Sequence, residues 1–289
     1  MWHWTTQVAR AILALGAFYV AFAILAGAAE WLQAAALAGR GGWRNTGRGL
    51  LALVVPSLVA VFAVYGVLVR STAWSIARIG WRPQGGRGLG LGAAWGCGLA
   101  LAVLGITVVG GARIVVAPAM EESYLGVAVP LAVGLALAAL LEELLFRGFP
   151  LARLAEAAGP IAASVTLALV FTAAHVGNPD VSVLGLVNIG IASLLLSAVF
   201  LGRTGLSGAV GLHLGWNATL VLAADAPVSG LRFGLPAVEY FPGPLDLVTG
   251  GRFGPEGGLA ASAVLAAALA WWVRRNMRGE VDGPWKKLP

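Results

Sequence analysis

Apolar runs of near-membrane length alternate with short polar connections along the whole chain. That alternation predicts a stack of bilayer-crossing helices, since about 20 apolar residues span the hydrocarbon core. Eight runs fit: about 11–37, 50–69, 90–110, 127–147, 160–177, 183–201, 206–224 and 257–273. The first resembles a signal sequence in having Arg10, an apolar run to Leu25 and then Ala26-Gly27-Ala28. Its run is long and its basic region thin, so a retained span is expected. The connections differ in character. Arg70, Arg78, Arg82 and Arg87, with Trp74 and Trp81, predict an amphipathic segment lying on the membrane surface. Residues 111–126, with Glu121 and Glu122, read as a loop, and 225–256 as the largest extramembrane connection. The expected organisation is a single membrane-embedded domain over 1–289. Residues 1–125 carry the N-terminal spans and the basic surface segment, 126–224 a motif-bearing core, 225–256 the long loop, and 257–289 the last span and a basic tail. The fold class is an all-α polytopic membrane protein of about eight helices, with a polar cavity among spans four to seven.

Composition sharpens this picture. Of 289 residues, 59% are hydrophobic and 11% charged, against roughly 25% charged in soluble domains. The net charge of +6 does not point to nucleic acid, because the basic residues sit in short loops between spans, as in the positive-inside pattern. With eight spans both termini share a face, and assigning it to the cytoplasm puts 13 of the 19 Lys and Arg inside. Arg40, Arg44 and Arg48 fall on the wrong side. The Ala/Gly/Arg-rich sequence without organelle signals suggests a bacterial plasma membrane. A lone Cys97 excludes an internal disulfide and a cysteine metal cluster.

Charge inside the spans is the exception that needs a reason. Glu142, Glu143 and Arg147 follow the uninterrupted apolar run 127–141, where each charge costs at least roughly 2.5–3.5 kcal/mol near the bilayer centre. On a helix Glu143 and Arg147 are four apart and share a face, while Glu142 is turned by about 100°. Arg147 is therefore expected to neutralise Glu143, leaving Glu142 as a lone carboxylate suited to acid–base chemistry. A buried ion-pair cluster that only fixes helix register explains the same residues. Two intramembrane histidines add to the pattern: Phe171 and His175 are spaced i,i+4, and so are His213 and Asn217. Counting from the turn at 157–160, Glu142, Glu143 and His175 reach one depth, roughly 23–25 Å along their helices, provided helix four continues past Arg147. His213 and Asn217 come out shallower, and Asn188 is placed to join them.

Taken in order, Glu142-Glu143-xxx-Arg147, Phe171-xxx-His175 and His213-xxx-Asn217 resemble the motifs of the CPBP intramembrane proteases. That family includes type II CAAX prenyl endopeptidases and bacteriocin-processing or immunity proteins. The resemblance implies an eight-helix core with a conical cavity open to the cytosol and peptide-bond hydrolysis in a membrane-associated peptide or protein. It implies that Glu142 and His175 activate water, that His213 and Asn217 stabilise the oxyanion, and that Glu143, Arg147, Phe171 and Asn188 support them. Glutamate-dependent catalysis without an obligatory metal is the favoured expectation. A zinc site on Glu142, His175 and His213 stays open, although HExxH is absent and Asn217 is a poor zinc ligand. Two other readings compete: a non-catalytic membrane binding or bacteriocin-immunity protein, and a proton-coupled transporter.

Overall fold

The structure is a computed structural model that describes residues 2–36, 47–71, 80, 85–116, 124–236 and 238–277. Most of the basic stretch 70–87, Arg40, Arg44, Glu121, Glu122 and the tail from 278 lie outside the described residues. The helices are α1 (Trp2–Ala36), α2 (Gly47–Ser71), α3 (Gly85–Val109), α4 (Tyr124–Phe146), α5 (Ala152–Ala158), α6 (Pro160–Ala174), α7 (Val183–Leu201), α8 (Gly205–Ala224), α9 (Asp246–Thr249) and α10 (Leu259–Met277). Two short strands, β1 (Arg113–Val116) and β2 (Val238–Phe241), pair antiparallel with Arg113 opposite Phe241. A strand thus occupies part of 111–126, which the sequence reading took as loop.

The architecture is an all-α polytopic bundle, but the described residues hold six helices long and apolar enough to cross a membrane, where eight spans were expected. They are Thr5–Ala28, Gly47–Leu68, Gly85–Val109, Tyr124–Ala158, Val183–Leu201 and Gly205–Ala224. The two shortfalls have physical causes. α6 has 15 residues, or roughly 22 Å at 1.5 Å per residue, short of a core about 30 Å thick. It ends at Ala174, and the stretch that follows holds Gly177 and Pro179. α10 is diluted at its end by Trp271-Trp272 and Arg274-Arg275.

Packing fixes the directions. α3 and α8 run parallel along a seam of small residues. Gly88 abuts Thr204 and Ser207, Gly92 abuts Gly208 and Leu212, and Gly96 abuts Leu212 and Trp216. From the other side Gly211 and Gly215 press on Leu89 and Ala93. At Gly92, Gly96, Gly211 and Gly215 an added Cβ would strike the partner's backbone. Close backbone approach is the way lipid-embedded helices gain dispersion energy where no hydrophobic drive is available. α2 and α4 are also parallel, with Gly47 against Leu131 and Leu50 against Gly134. α4 and α8 are antiparallel, since the Tyr124 hydroxyl donates to the Leu222 carbonyl near the end of α8 at 2.8 Å. The sheet and the connections 175–182 and 225–258 therefore lie on one face of the bundle. The N-terminal end of α1 and the C-terminal end of α10 lie on the other.

After Phe146 the fourth helix continues through a π-helical turn, Arg147–Leu151, into α5. Pro150 has no N–H to donate, and Gly148 leaves helical geometry with ψ −114°. The disrupted backbone is repaired from outside. The Tyr65 hydroxyl accepts from Phe149 N–H at 2.6 Å and donates to the Leu144 carbonyl at 2.8 Å. It thus bridges an i,i+5 pair. The Tyr19 hydroxyl donates to the Leu145 carbonyl at 2.9 Å. Gly148 allows this, because a Cβ there would occupy the Tyr65 hydroxyl position. Phe18 packs edge-on against Tyr65, with ring centroids 5.6 Å apart. Tyr65→Phe leaves a buried N–H and a buried carbonyl without their bridge. We expect a loss of roughly 1–3 kcal/mol, read as a lower unfolding temperature in detergent, and an unchanged temperature would remove the bridge from the account.

Candidate active site

The turn after Phe146 places Arg147 inside the bundle. Arg147 and Glu143 are both 0% exposed, and Arg147 Nη1 donates to Glu143 Oε1 at 3.0 Å, one helical turn away. Nη2 donates across to α7, to the Ser193 hydroxyl at 2.7 Å and the Ser193 carbonyl at 3.3 Å. The guanidinium also lies over the ring of Phe171 on α6, 4.5 Å from its centroid, a cation–π contact strengthened by desolvation. Phe146 meets Phe171 edge-on at 4.9 Å.

Glu143 Oε1 takes a second donor, His213 Nδ1 on α8, at 2.9 Å. An ionised carboxylate only accepts, so Nδ1 carries the proton and the ring is held with Nε2 turned away. His213 Nε2 lies 3.7 Å from Glu142 Oε2. Glu142 differs from its neighbour: its side chain is 33% exposed, against 0% for Glu143, and it lines a cavity that Glu143 and Arg147 do not reach. The approximately 100° between the two positions separates a sealed carboxylate from an accessible one.

That cavity has a volume of about 430 Å³ and a mostly apolar lining. Glu142, His175, His213 and Asn217 all line it, with Phe171 and Asn188. His175, at the C-terminal end of α6, stacks against Phe171 at 4.5 Å. Its Nδ1 lies 2.7 Å from the Phe171 carbonyl oxygen. A carbonyl only accepts, so Nδ1 is again the donor and Nε2 of a neutral ring keeps its lone pair. The imidazole in ion-pair contact with Glu142 among the described residues is His213 and not His175. Asn217, buried one turn beyond His213, has no hydrogen-bond partner among the described residues. Asn188 is engaged elsewhere: its amide donates to the carbonyls of Glu256 at 2.7 Å and Gly258 at 3.0 Å, and its oxygen accepts from Ser262 at 2.7 Å. It ties α7 to the start of α10.

Among the described residues no three His, Cys, Asp or Glu side chains are grouped to hold a metal ion. The donor set Glu142, His175 and His213 therefore does not fit a three-ligand zinc site in this arrangement.

The sequence reading missed Glu256. In a glycine-rich stretch after Pro255 it reads as an exposed turn, yet it is buried and lines the cavity. Its Oε1 accepts from the Trp216 indole at 2.7 Å, and its Oε2 accepts from the Ser229 backbone N–H and from the Ser229 hydroxyl at 3.1 Å. Asn178 donates to the Ser229 carbonyl at 2.9 Å. Val228, Ser229, Leu231 and Phe233 consequently close over the cavity. Nothing in their spacing signals this, because the contacts cross from 178 and 216 to 229 and 256. Their position also fixes where the cavity lies, which is toward the face opposite the ends of α1 and α10.

With this geometry in place, comparison with known families is decisive at one level. Residues 122–219 match the family described as type II CAAX prenyl endopeptidase Rce1-like. The motif-bearing segment is thus similar to the CAAX protease family. The six candidate spans make the chain a multi-pass membrane protein, and the segment similar to this protease family runs from just before α4 into α8, carrying Glu142, His175, His213 and Asn217. No curated protein matches the chain.

The burial contrast yields a stability test. Arg147→Ala leaves Glu143 sealed with one cation fewer, and breaking such a buried pair costs about 3–5 kcal/mol. Glu142→Gln touches a partly exposed group. In detergent, Arg147→Ala should melt well below Glu142→Gln, and equal unfolding temperatures would dissolve the distinction between the two carboxylates.

Proposed function

We propose that this chain is an intramembrane endopeptidase that hydrolyses a peptide bond near the terminus of a membrane-associated protein or peptide. The observation that carries the proposal is the convergence of Glu142, His175, His213 and Asn217 on one cavity inside a segment of protease-family sequence. Glu142 and the free Nε2 of His175 hold a water between them and take its proton as its oxygen attacks the carbonyl carbon. The oxyanion that forms accepts hydrogen bonds from the Asn217 amide and His213 Nε2–H. With Nδ1 committed to Glu143, His213 donates from Nε2 only as the imidazolium. Before attack Glu142 and Glu143 balance the charges of Arg147 and His213, and once Glu142 has taken the proton the oxyanion replaces it in that balance. As the tetrahedral intermediate collapses, the C–N bond breaks and the proton held by Glu142 passes to the leaving amine. The apolar lining suits apolar substrate side chains.

A proton-coupled transporter has less support. On the opposite side of Leu212 a second cavity, lined by Arg203, Thr204 and Arg275 among apolar and tryptophan side chains, has among the described residues no acidic or histidine side chain to continue a relay. A non-catalytic binding protein keeps the cavity but turns nothing over, so the decisive comparison is of activity. Membranes from cells making Glu142→Gln should accumulate an uncleaved protein that the wild type processes. The purified variant should cleave that protein about 10²–10⁴-fold more slowly, and full activity would end this assignment of the base.

Asn217 separates an oxyanion role from simple substrate binding. Losing one such donor costs about 10²–10³ in kcat. Asn217→Ala in nanodiscs should therefore lower kcat and kcat/KM together. A raised KM with kcat unchanged would move Asn217 to substrate binding.

A further inference from the structure

The second cavity, of about 230 Å³, lies between α3, the turn joining α7 to α8, and α10. It is at the face that carries the ends of α1 and α10, away from the site described above. Its two regions differ in chemistry. At the rim stand Arg203, two residues past the end of α7, and Arg275 near the end of α10. Arg203 is exposed and has no carboxylate partner among the described residues. Deeper in, Leu91 and Trp95 lie six and ten residues from the start of α3, roughly 9–15 Å below the helix end.

The walls are already fixed. Trp95 meets Trp271 at 4.8 Å and Trp272 at 5.7 Å. The Trp272 indole is anchored to the Ala198 carbonyl at 3.0 Å. The Arg275 guanidinium rests over Trp271 at 5.2 Å, which keeps its charge at the mouth. Two cations at the rim, no acidic residue among the described residues of the lining and an apolar trough running inward match an amphiphile with an anionic head and a hydrocarbon tail. Basic pockets between transmembrane helices take anionic lipid head groups in this way, and tryptophan is at home at that depth. A free phosphate would satisfy only the arginines, and the trough would serve nothing.

We propose that this groove binds one anionic phospholipid, with its phosphate between Arg203 and Arg275 and an acyl chain along Leu91 and Trp95. The site is independent of the reaction assigned to the larger cavity.

The test is native mass spectrometry of the full chain in detergent, titrated with dioleoyl-phosphatidylglycerol or dioleoyl-phosphatidylcholine. One phosphatidylglycerol should stay bound under activation that strips phosphatidylcholine. Arg203→Gln combined with Arg275→Gln should weaken its retention by on the order of tenfold or more. Arg232→Gln, on the opposite face, should leave retention unchanged. Leu91→Trp fills the trough from an exposed position and should reduce retention with both arginines in place. That variant decides the matter if the double variant does not fold. Millimolar inorganic phosphate should not displace the lipid. The proposal is overturned by equal retention of the two lipids, by undiminished binding in the double variant or in Leu91→Trp, by equal loss in Arg232→Gln, or by displacement with phosphate.

Discussion

The contact between Arg147 and Glu143 holds the site together. Neither ion reaches solvent, and in such surroundings each is tolerable only while its partners are in place. Those partners are spread over the bundle: Glu143 and Arg147 follow one another on the fourth helix, Phe171 covers the guanidinium from α6, Ser193 receives it on α7, and His213 shares the carboxylate from α8. A single pair of charges thereby sets the mutual positions of the four elements that line the cavity. Orientation of His213 is a by-product of this arrangement, because the oxygen that neutralises Arg147 also fixes which imidazole nitrogen faces Glu142.

The pair in turn needs the helix break behind it. An unbroken α-helix through Pro150 would set the proline ring against the carbonyl of Phe146. The π-helical turn removes that clash and presents the carbonyls of Leu144 and Leu145 to donors from outside the helix. Tyr65 and Tyr19 supply those donors from the two N-terminal helices. Those helices contribute little to the cavity lining, apart from Leu50. Their connection to the chemistry is the two hydroxyl groups that hold the break in shape.

Legibility from sequence followed the range of each interaction. Charges in apolar runs and i,i+4 spacings are local, so Glu142, Glu143, Arg147, Phe171, His175, His213 and Asn217 stood out before any coordinates. Span length was legible except where a helix was short for the membrane, as in α6, or ended in tryptophans and arginines, as in α10. What could not be read were the partners that come from far along the chain. Tyr65 reads as an ordinary aromatic in an apolar run, Ser193 as a small polar residue on α7, and Glu256 as part of a glycine-rich turn. Each acquires its role only when a segment dozens of residues away arrives beside it. Asn188 combines both ranges, since its depth suggested the site whose cavity it lines, while its hydrogen bonds tie α7 to α10.

The glycine seam between α3 and α8 bears on how this protein can change. Where two backbones touch, no side chain lies between them to absorb a substitution, so the seam cannot be enlarged in small steps. His213 and Asn217 sit on α8 and are thus registered against α3 with little freedom to drift. Variation in cavity shape is left to the other walls, which Leu135, Ala138, Ile189 and Leu265 line. Engineering or natural divergence of substrate preference should concentrate there, while the two helices joined at the seam behave as one inherited block.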